Sequence, residues 1–255
     1  MTIDPHAGPR TVIVTGASRG IGAATAWLCA QQGWAVAVNF ARDRAAAERV
    51  VDRILAAGGT ARAIQADVAD EAQVMRLFET VDAELPRLGG LVNNAGVVDV
   101  AARVEQMSVA RLTRMFAINV TGTIVCAREA VKRLSPRHGG LGGAIVNVSS
   151  AAARLGSPGQ YVDYAAAKGA VDVFTLGLAR EVAADGIRVN AVRPGIIDTE
   201  IHASGGLPDR ARELAPIVPM QRAGSAEEVA EAIVWLLSDA ASYTTGAVLD
   251  VTGGR

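Results

Sequence analysis

The sequence predicts an α/β fold in which one parallel sheet is covered by helices on both faces. Short β-branched apolar runs alternate with helical segments along the whole chain, and such strict alternation is typical of parallel sheets. Half of the 255 residues are apolar and a fifth are charged, which suits a globular protein with a large core. No long linker or repeat divides the chain, so we expect a single domain over residues 1–255.

Compact apolar runs predict seven strands, and the intervening segments predict helices. Glycines at 33 and 58–59 and the proline at 86 mark the ends of the first three helices. The strands are expected at 11–14, 34–40, 61–66, 90–93, 144–148, 187–192 and 247–250, and the helices at 20–32, 43–57, 70–85, 108–134, 161–184 and 226–237. The least regular stretches are 97–107, 135–143 and 198–222.

Composition excludes several classes of function. The net charge of −1 gives no electrostatic reason to expect a nucleic acid or an anionic membrane as partner. Cys29 and Cys126 lie in apolar stretches without disulfide or zinc spacing, so we expect a reducing compartment and no metal. Residues 1–6 lack the pattern of a signal peptide, and no run of 18 apolar residues occurs. The sequence therefore predicts a cytoplasmic protein.

A glycine-rich segment joins the first strand to the first helix. It reads Thr15-Gly16-Ala17-Ser18-Arg19-Gly20-Ile21-Gly22. Glycines there let the backbone turn sharply, and the free N–H groups at the helix start favour an anion. Three glycines alone are also compatible with an ordinary turn, but their position after the first strand of an alternating chain favours a phosphate site. The sequence thus predicts a doubly wound, Rossmann-type domain with a seven-stranded parallel sheet.

The end of the second strand indicates which dinucleotide binds. NAD sites usually have a carboxylate at this point for the ribose 2′-hydroxyl, and no acid occurs here before Asp43. Arg19 and Arg42 are placed to reach a 2′-phosphate, with Ser18 and Asn39 adding neutral hydrogen bonds. We therefore expect NADP(H) to be preferred. NAD(H) stays possible if the strand ends two or three residues later than predicted, beside Asp43.

Several motifs in order resemble the short-chain dehydrogenase/reductase family, in its group of about 250 residues, over essentially the whole chain. They are the glycine-rich segment, Asp67-Val68, Asn93-Asn94-Ala95-Gly96, Asn119, Val148-Ser149-Ser150, Tyr164-Ala165-Ala166-Ala167-Lys168 and Arg193-Pro194-Gly195. The chain resembles 3-oxoacyl-carrier-protein reductases and glucose dehydrogenase-like members. This resemblance implies an oxidoreductase that moves hydride between nicotinamide and a small carbonyl or alcohol compound, in a homotetramer or homodimer.

The resemblance also implies roles for single residues. Asp67 and Val68 would hold the adenine, and Asn93 to Gly96 would line the nicotinamide side of the cleft. Pro194, Gly195, Ile197 and Thr199 would face the nicotinamide. The stretch 198–222, which includes His202, would form a lid over the substrate.

Tyr164 and Lys168 lie four residues apart on a predicted helix, so they share one face. A lysine cation about 6 Å away would lower the pKa of the phenol by about two units, toward the working pH of a general acid or base. By the resemblance, Ser150 would bind the reacting oxygen and Asn119 would hold a water that links Lys168 to solvent. Tyr161 is a rival phenol, but its i+4 residue is not a cation.

One departure and two alternatives accompany this prediction. The segment between Ser150 and Tyr164 carries one residue more than is usual in the family, expected around 157–159. A 3-oxoacyl-carrier-protein reductase is one alternative, since the basic residues Arg128, Lys132, Arg133, Arg137 and Arg180 could meet an acidic carrier. A catalytically idle nucleotide sensor is the other, and it ranks lower because the tyrosine, lysine and serine are all present.

Overall fold

The computed structural model describes residues 8–200, 206 and 209–255. Its helices are α1 Gly20–Gln31, α2 Arg44–Ala56, α3 Glu71–Glu84, α4 Val109–Phe116, α5 Gly122–Leu134, α6 Ala152–Leu155, α7 Val162–Val182, α8 Arg210–Leu214 and α9 Ala226–Leu237. Its strands are β1 Thr11–Val14, β2 Ala35–Phe40, β3 Thr60–Gln65, β4 Leu88–Asn93, β5 Gly143–Val148, β6 Ile187–Pro194 and β7 Val248–Val251.

Within the described residues, the seven strands form one parallel sheet in the order β3-β2-β1-β4-β5-β6-β7. The predicted fold class is thereby confirmed. The chain order reverses between β1 and β4, and ligands of such sheets bind in the crevice at the carboxyl ends of the strands near this point. The glycine-rich segment after β1 and Asn94 after β4 both lie there.

The inner strands β1, β2, β4 and β5 are buried on both faces, which explains why they are almost continuously apolar, whereas the edge strands β3 and β7 are partly exposed. Along β1, Val12 and Val14 pack into a cluster with α1 and α9, while Ile13 packs into a second cluster with α3, α5 and α7. All three side chains have no solvent exposure. The two clusters fix the sheet between its helical layers and hold the carboxyl edge of the strands as a rigid platform.

Side-chain caps explain where several helices begin. The carboxylates of Asp43 and Asp70 accept from backbone N–H groups in the first turns of α2 and α3. Ser108 caps α4 in the same way, and Ser225 forms a capping box with Glu228 at the start of α9. Each cap satisfies backbone donors that the helix itself leaves unpaired.

The long helix predicted at 108–134 contains a π-helical turn. The segment Ala117–Thr121 separates α4 from α5 without breaking the helix, and Asn119 is its fully buried centre. Such turns occur mostly at functional sites. Among the described residues, no helix has the length and apolar character required to cross a membrane.

Candidate active site

The glycine-rich segment forms a tight turn at the carboxyl end of β1. Gly16 and Gly20 adopt positive φ angles of 61° and 53°. A Cβ on Gly22 would lie 2.5 Å from the carbonyl oxygen of Gly16 and from Nδ2 of Asn94. Arg19, at the N-cap of α1, makes no side-chain capping bond. The backbone donors at the start of α1 therefore face a cradle that suits the phosphates of a dinucleotide.

Asn94 and Thr15 hold this turn against the end of β4. Nδ2 of Asn94 donates to the carbonyl oxygens of Thr15 and Gly16 at 2.8 and 3.0 Å. The hydroxyl of Thr15 accepts from the backbone N–H groups of Asn94 and Ala95, both at 3.0 Å. Asn94 therefore positions the phosphate turn as well as lining the cleft.

Asn39 lies beneath the turn, and its hydrogen bonds are made to the backbone. Its Oδ1 accepts from the N–H of Gly16 at 3.2 Å, and its Nδ2 donates to the carbonyl oxygens of Ile64 and Ala66 at 3.2 and 3.0 Å. Only 1% of the residue is exposed. Asn39 thus links β1, β2 and β3, a role that sequence reasoning missed when it assigned the amide to the phosphate.

The outer half of the crevice is a cavity of about 450 Å³ that Arg19, Arg42 and Asp67 help to line. Strand β2 ends at Phe40, so Asp43 lies three residues beyond it, and its carboxylate caps α2 by accepting from the N–H of Ala46 at 3.0 Å. No carboxylate stands at the strand end itself, although Asp43 lines the same cavity. Among the described residues, neither Arg19 nor Arg42 forms an ion pair, and both are exposed.

The inner half is a cavity of about 480 Å³ that three of the four predicted catalytic residues line, whereas Asn119 is buried behind it. Ser150, Tyr164 and Lys168 are the three that line it. The ammonium of Lys168 lies 5.6 Å from the centre of the Tyr164 ring and donates to the carbonyl oxygen of Val148 at 2.7 Å. Ser149 turns away and donates to the carbonyl oxygen of Lys168 at 3.2 Å. Of the two adjacent serines, Ser150 is therefore the one whose hydroxyl hydrogen is not already donated to the backbone.

Burial dominates the acidities at this point. It raises the pKa of Tyr164 to about 12, against the opposing effect of the hydrogen bond from Ser150. It lowers the pKa of Lys168 to about 8, while the charge of Asp172 acts in the other direction. The expected net lowering of the phenol pKa was wrong, because desolvation of the buried phenolate outweighs the opposing contribution.

The π-helical turn places Asn119 next to Lys168. Its Oδ1 accepts from the N–H of Val97 at 3.1 Å, and its Nδ2 donates to the carbonyl oxygens of Val97 and Met115, both at 3.0 Å. A Cβ on Gly96 would lie 2.8 Å from Oδ1 of Asn119 and 3.4 Å from Nζ of Lys168. Glycine at 96 therefore lets the amide and the ammonium approach each other.

Most of the remaining predicted residues line one of the two cavities. They are Gly16, Ser18, Gly20, Ile21, Val68, Ala95, Gly96, Pro194, Gly195, Ile197 and Thr199. Asn93 lines neither. It is 4% exposed, and its Nδ2 donates to Oδ1 of Asn147 at 3.0 Å, which fastens β4 to β5. Gly22 lies in the first turn of α1, and the absence of a side chain there lets Gly16 and Asn94 pack against the helix.

An ion pair that the sequence did not reveal fixes the start of α7. Nε of Arg111 donates to Oδ2 of Asp163 at 2.8 Å, and a second nitrogen donates to Oδ1 at 3.2 Å. The guanidinium also donates to the carbonyl oxygen of Val100 at 2.6 Å. The carboxylate is fully buried and directly precedes Tyr164. No spacing rule could have paired residues 52 positions apart.

The segment between the serine and the tyrosine is irregular. It contains the single turn α6, and Gly156, Ser157 and Gly159 follow with φ angles of 72°, 45° and 70°. The expected lid is described only in part, since 201–205, with His202, and 207–208 lie outside the described residues. Of its described portion, α8 and a 3₁₀ turn at Ala215–Ile217 follow Asp209.

Comparison with known proteins bears on this fold and site. Residues 16–255 match the family described as enoyl-(acyl carrier protein) reductase. The chain is 57% identical to the "Uncharacterized oxidoreductase YgfF" of Escherichia coli K12 over 95% of this chain and 98% of that one. It is 42% identical to the cis-4-hydroxycyclohexanecarboxylate dehydrogenase of Sinomonas cyclohexanicum over 96% of each chain. A solved short-chain dehydrogenase/reductase mutant of Serratia marcescens superposes with a TM-score of 0.88, at 35% identity, over 96% of this chain and 97% of that one.

The fold and the cleft are those of an enzyme that uses a nicotinamide dinucleotide. Together with these matches, they show that the chain belongs to the short-chain dehydrogenase/reductase family of oxidoreductases. The glycine cradle and the two adjoining cavities fit the dinucleotide that the family uses.

Proposed function

We propose that the protein is an NADP(H)-dependent oxidoreductase that interconverts a carbonyl group and a secondary alcohol, with Tyr164 as the general acid and base. The observation that carries the proposal is that Ser150 and Tyr164 line one cavity with Lys168, whose ammonium lies 5.6 Å from the centre of the Tyr164 ring. A hydroxyl pair next to a buried cation is suited to binding a carbonyl oxygen and protonating it.

The bound nicotinamide supplies the hydride in reduction and accepts it in oxidation. Tyr164 gives its proton to the carbonyl oxygen in reduction and takes the proton of the alcohol in oxidation. Ser150 donates a hydrogen bond to the same oxygen and so holds it beside the phenol. The charge of Lys168 stabilises the phenolate when the proton has left. Asn119 would hold a water that returns protons to Lys168 from solvent.

The preference for NADP(H) rests on charge at the outer cavity. Arg19 and Arg42 line it without an acidic partner among the described residues, and Asp43 is occupied as a helix cap. A guanidinium binds a phosphate through charge-assisted hydrogen bonds, whereas the carboxylate that follows β2, that of Asp43, is held in its cap on α2. Tighter binding of NAD than of NADP in a titration would contradict this part of the proposal.

A panel of carbonyl compounds and alcohols tests the activity. Reduced nicotinamide is followed by absorbance with NADPH and with NADH, and with NADP and NAD in the oxidative direction. The panel includes cis-4-hydroxycyclohexanecarboxylate and its ketone, because a relative is named for that substrate. It also includes sugars, steroids, quinones and acetoacetyl thioesters. Turnover with at least one member is expected, and no hydride transfer across the panel would oppose the proposal.

The alternative of a carrier-protein substrate is less favoured by the charges on α5. Its basic residues pair with carboxylates of the chain itself. The pairs are Arg128–Glu71 at 2.7 Å, Lys132–Glu129 at 2.9 Å, Arg133–Asp82 at 2.7 Å and, after the helix, Arg137–Asp185 at 3.0 Å. These pairs reduce the positive potential available to an acidic carrier. Faster reduction of a carrier-bound than of a free acetoacetyl thioester would restore this alternative.

A homotetramer or homodimer is also part of the proposal. Apolar side chains on α4 and α7 are exposed in the single chain, among them Val109 at 77% and Val173 at 69%. Light scattering is expected to give a mass two or four times that of the chain, and a monomer would contradict it. The cytoplasmic location stays a prediction from the sequence.

A further inference from the structure

The inner cavity contains a cation that the proposed reaction does not use. Arg255 lines it together with Ser150 and Tyr164. Of the described residues along this cavity, only Arg255 and Lys168 are charged, and none is acidic. Lys168 is 4% exposed, and its ammonium already donates to the carbonyl oxygen of Val148. Arg255 is therefore the one cation of this lining that a substrate could reach directly.

The chain after β7 is held so that Arg255 reaches the cavity. The N–H of Gly195 donates to the carbonyl oxygen of Val251 at 2.9 Å, and the N–H of Met220 donates to that of Gly253 at 3.1 Å. Gly253 and Gly254 have φ angles of 65° and 93°, which side chains other than glycine rarely adopt. The turn follows directly on the contact of Val251 with Gly195, which lines the same cavity, and it packs against Val218 and Pro219.

Arg255 has no acidic partner in the part of the chain that the structure describes. Two other arginines near β7 differ from it in this respect. Arg154 of α6 pairs with Asp250, and Arg193 of β6 pairs with Asp172 at 2.9 Å. Arg255 is half-buried. A half-buried arginine on a cavity wall that has no acidic side chain among the described residues can provide paired donors that match a planar carboxylate.

We propose that the guanidinium of Arg255 binds a carboxylate of the substrate while Ser150 and Tyr164 bind its carbonyl or hydroxyl oxygen. The substrate class is then an oxo acid or hydroxy acid whose acidic group is remote from the reacting carbon. The inference rests on the proposed function, because it assigns the second end of the same substrate. It makes Arg255 a specificity-determining residue that takes no part in proton or hydride transfer.

A matched substrate pair tests this assignment. The ketone 4-oxocyclohexanecarboxylate and its carboxamide have nearly the same shape, but only the first is an anion. With NADPH, the wild-type enzyme is expected to have a kcat/KM for the carboxylate at least tenfold above that for the carboxamide. Arg255→Gln should remove this preference by raising KM for the carboxylate, with kcat little changed, and Arg255→Lys should keep part of it. Arg76→Gln, on the exposed face of α3, is the control and should leave the ratio as in wild type.

Binding without turnover provides a second readout. Calorimetry with cyclohexanecarboxylate, in the presence of NADP, should show an affinity at least tenfold weaker for Arg255→Gln than for wild type. Equal affinity for both proteins, or no binding to wild type, would overturn the inference. If the ketones are reduced with the same ratio by wild type and Arg255→Gln, the inference fails and the proposed function stands. If the carboxylate binds through Arg255 but no carbonyl compound is reduced, the proposed function fails and the anion site stands.

Discussion

Arg111 and Asp163 form a bidentate ion pair whose carboxylate is fully excluded from solvent, one residue before Tyr164. The pair joins α4 to the first turn of α7, and the guanidinium also holds the segment after β4 through Val100. Removing one member of a buried pair leaves an uncompensated charge, which is far more costly than removing both.

We therefore expect Arg111→Gln to destabilise the protein by about 3–5 kcal/mol. The double variant Arg111→Gln/Asp163→Asn should lose less than this single variant. Arg103→Gln, in an exposed pair with Glu105, is the control and should cost no more than about 0.5 kcal/mol. Urea unfolding at one protein concentration measures all four proteins. A double variant less stable than Arg111→Gln would show that the pair does not act as a unit.

The cofactor preference should depend on Arg42. Arg42→Ala is expected to raise KM for NADPH about tenfold or more, since a charge-assisted hydrogen bond contributes about 1.5–3 kcal/mol. KM for NADH should change little, because no 2′-phosphate is present. Arg44→Ala is the matched control, since Arg44 pairs with Glu48 on the surface of α2. If Arg42→Ala raises KM equally for NADPH and NADH, Arg42 does not bind a 2′-phosphate. Arg19→Ala is expected to change the two KM values in the same way as Arg42→Ala.

Carbonyl reduction should slow as the pH rises through about 8. Burial lowers the pKa of Lys168 to about 8, so the cation is present below that pH and is lost above it, whereas Tyr164 keeps its proton to about 12. The profile of kcat/KM reports the free enzyme. Asp172→Asn should move the inflection to lower pH, because the charge of Asp172 raises the pKa of Lys168. Arg193, the partner of Asp172, is not left unpaired in this variant, because the carboxylate of Asp250 also lies 3.6 Å from it. If the profile of Asp172→Asn has its inflection at the same pH as wild type, Lys168 is not the group that sets the inflection.

The same lowered pKa affects stability. Between about pH 8 and pH 10 the unfolded chain binds a proton at Lys168 that the folded protein does not. The wild type should therefore gain stability relative to Lys168→Met as the pH rises through this window. Tyr164 is present in both proteins and cancels in the difference. Urea unfolding of both proteins across this pH range measures the difference between their free energies of unfolding. If that difference does not change with pH, the lowered pKa of Lys168 is contradicted.

Gly22 should tolerate no side chain. A Cβ there would meet Nδ2 of Asn94 and the carbonyl oxygen of Gly16 at 2.5 Å, so Gly22→Ala must displace the phosphate turn. We expect a loss of about 1–3 kcal/mol in stability and weaker binding of NADP(H). Gly177→Ala is the control within α7, where a Cβ would meet nothing within 4 Å and should stabilise the helix by up to about 1 kcal/mol. Thermal melts of Gly22→Ala and Gly177→Ala, each with and without NADP(H), measure the change in stability and the change in cofactor binding.

The sequence predicted the architecture because strand alternation and helix stops are local signals. Each predicted strand is present, and the ends at Gly33 and Pro86 agree with α1 and α3 to within a residue or two. The π-helical turn at Asn119 was not predictable from local sequence, and the amide of Asn119 bonds there to Val97, 22 residues away along the chain.

Within the candidate site, motif positions were more predictable than side-chain roles. The glycine turn and the pair of Tyr164 and Lys168 lie at the edge of the sheet where they were expected. The bonds of Asn39 to β3 depend on which strands are neighbours, and that information is not local. The acidity of Tyr164 depends on burial, which spacing on a helix does not reveal.

The assignment of Tyr164 as the acid and base is tested most directly by comparing two phenols in one cavity. Both Tyr161 and Tyr164 line it, but Tyr164 is the one that meets Ser150 and Lys168. With NADPH and the best ketone of the panel, Tyr164→Phe should lower kcat by about 10²–10⁴. Tyr161→Phe should retain most of the activity. Near-wild-type turnover by Tyr164→Phe, with the loss appearing in Tyr161→Phe instead, would contradict the account.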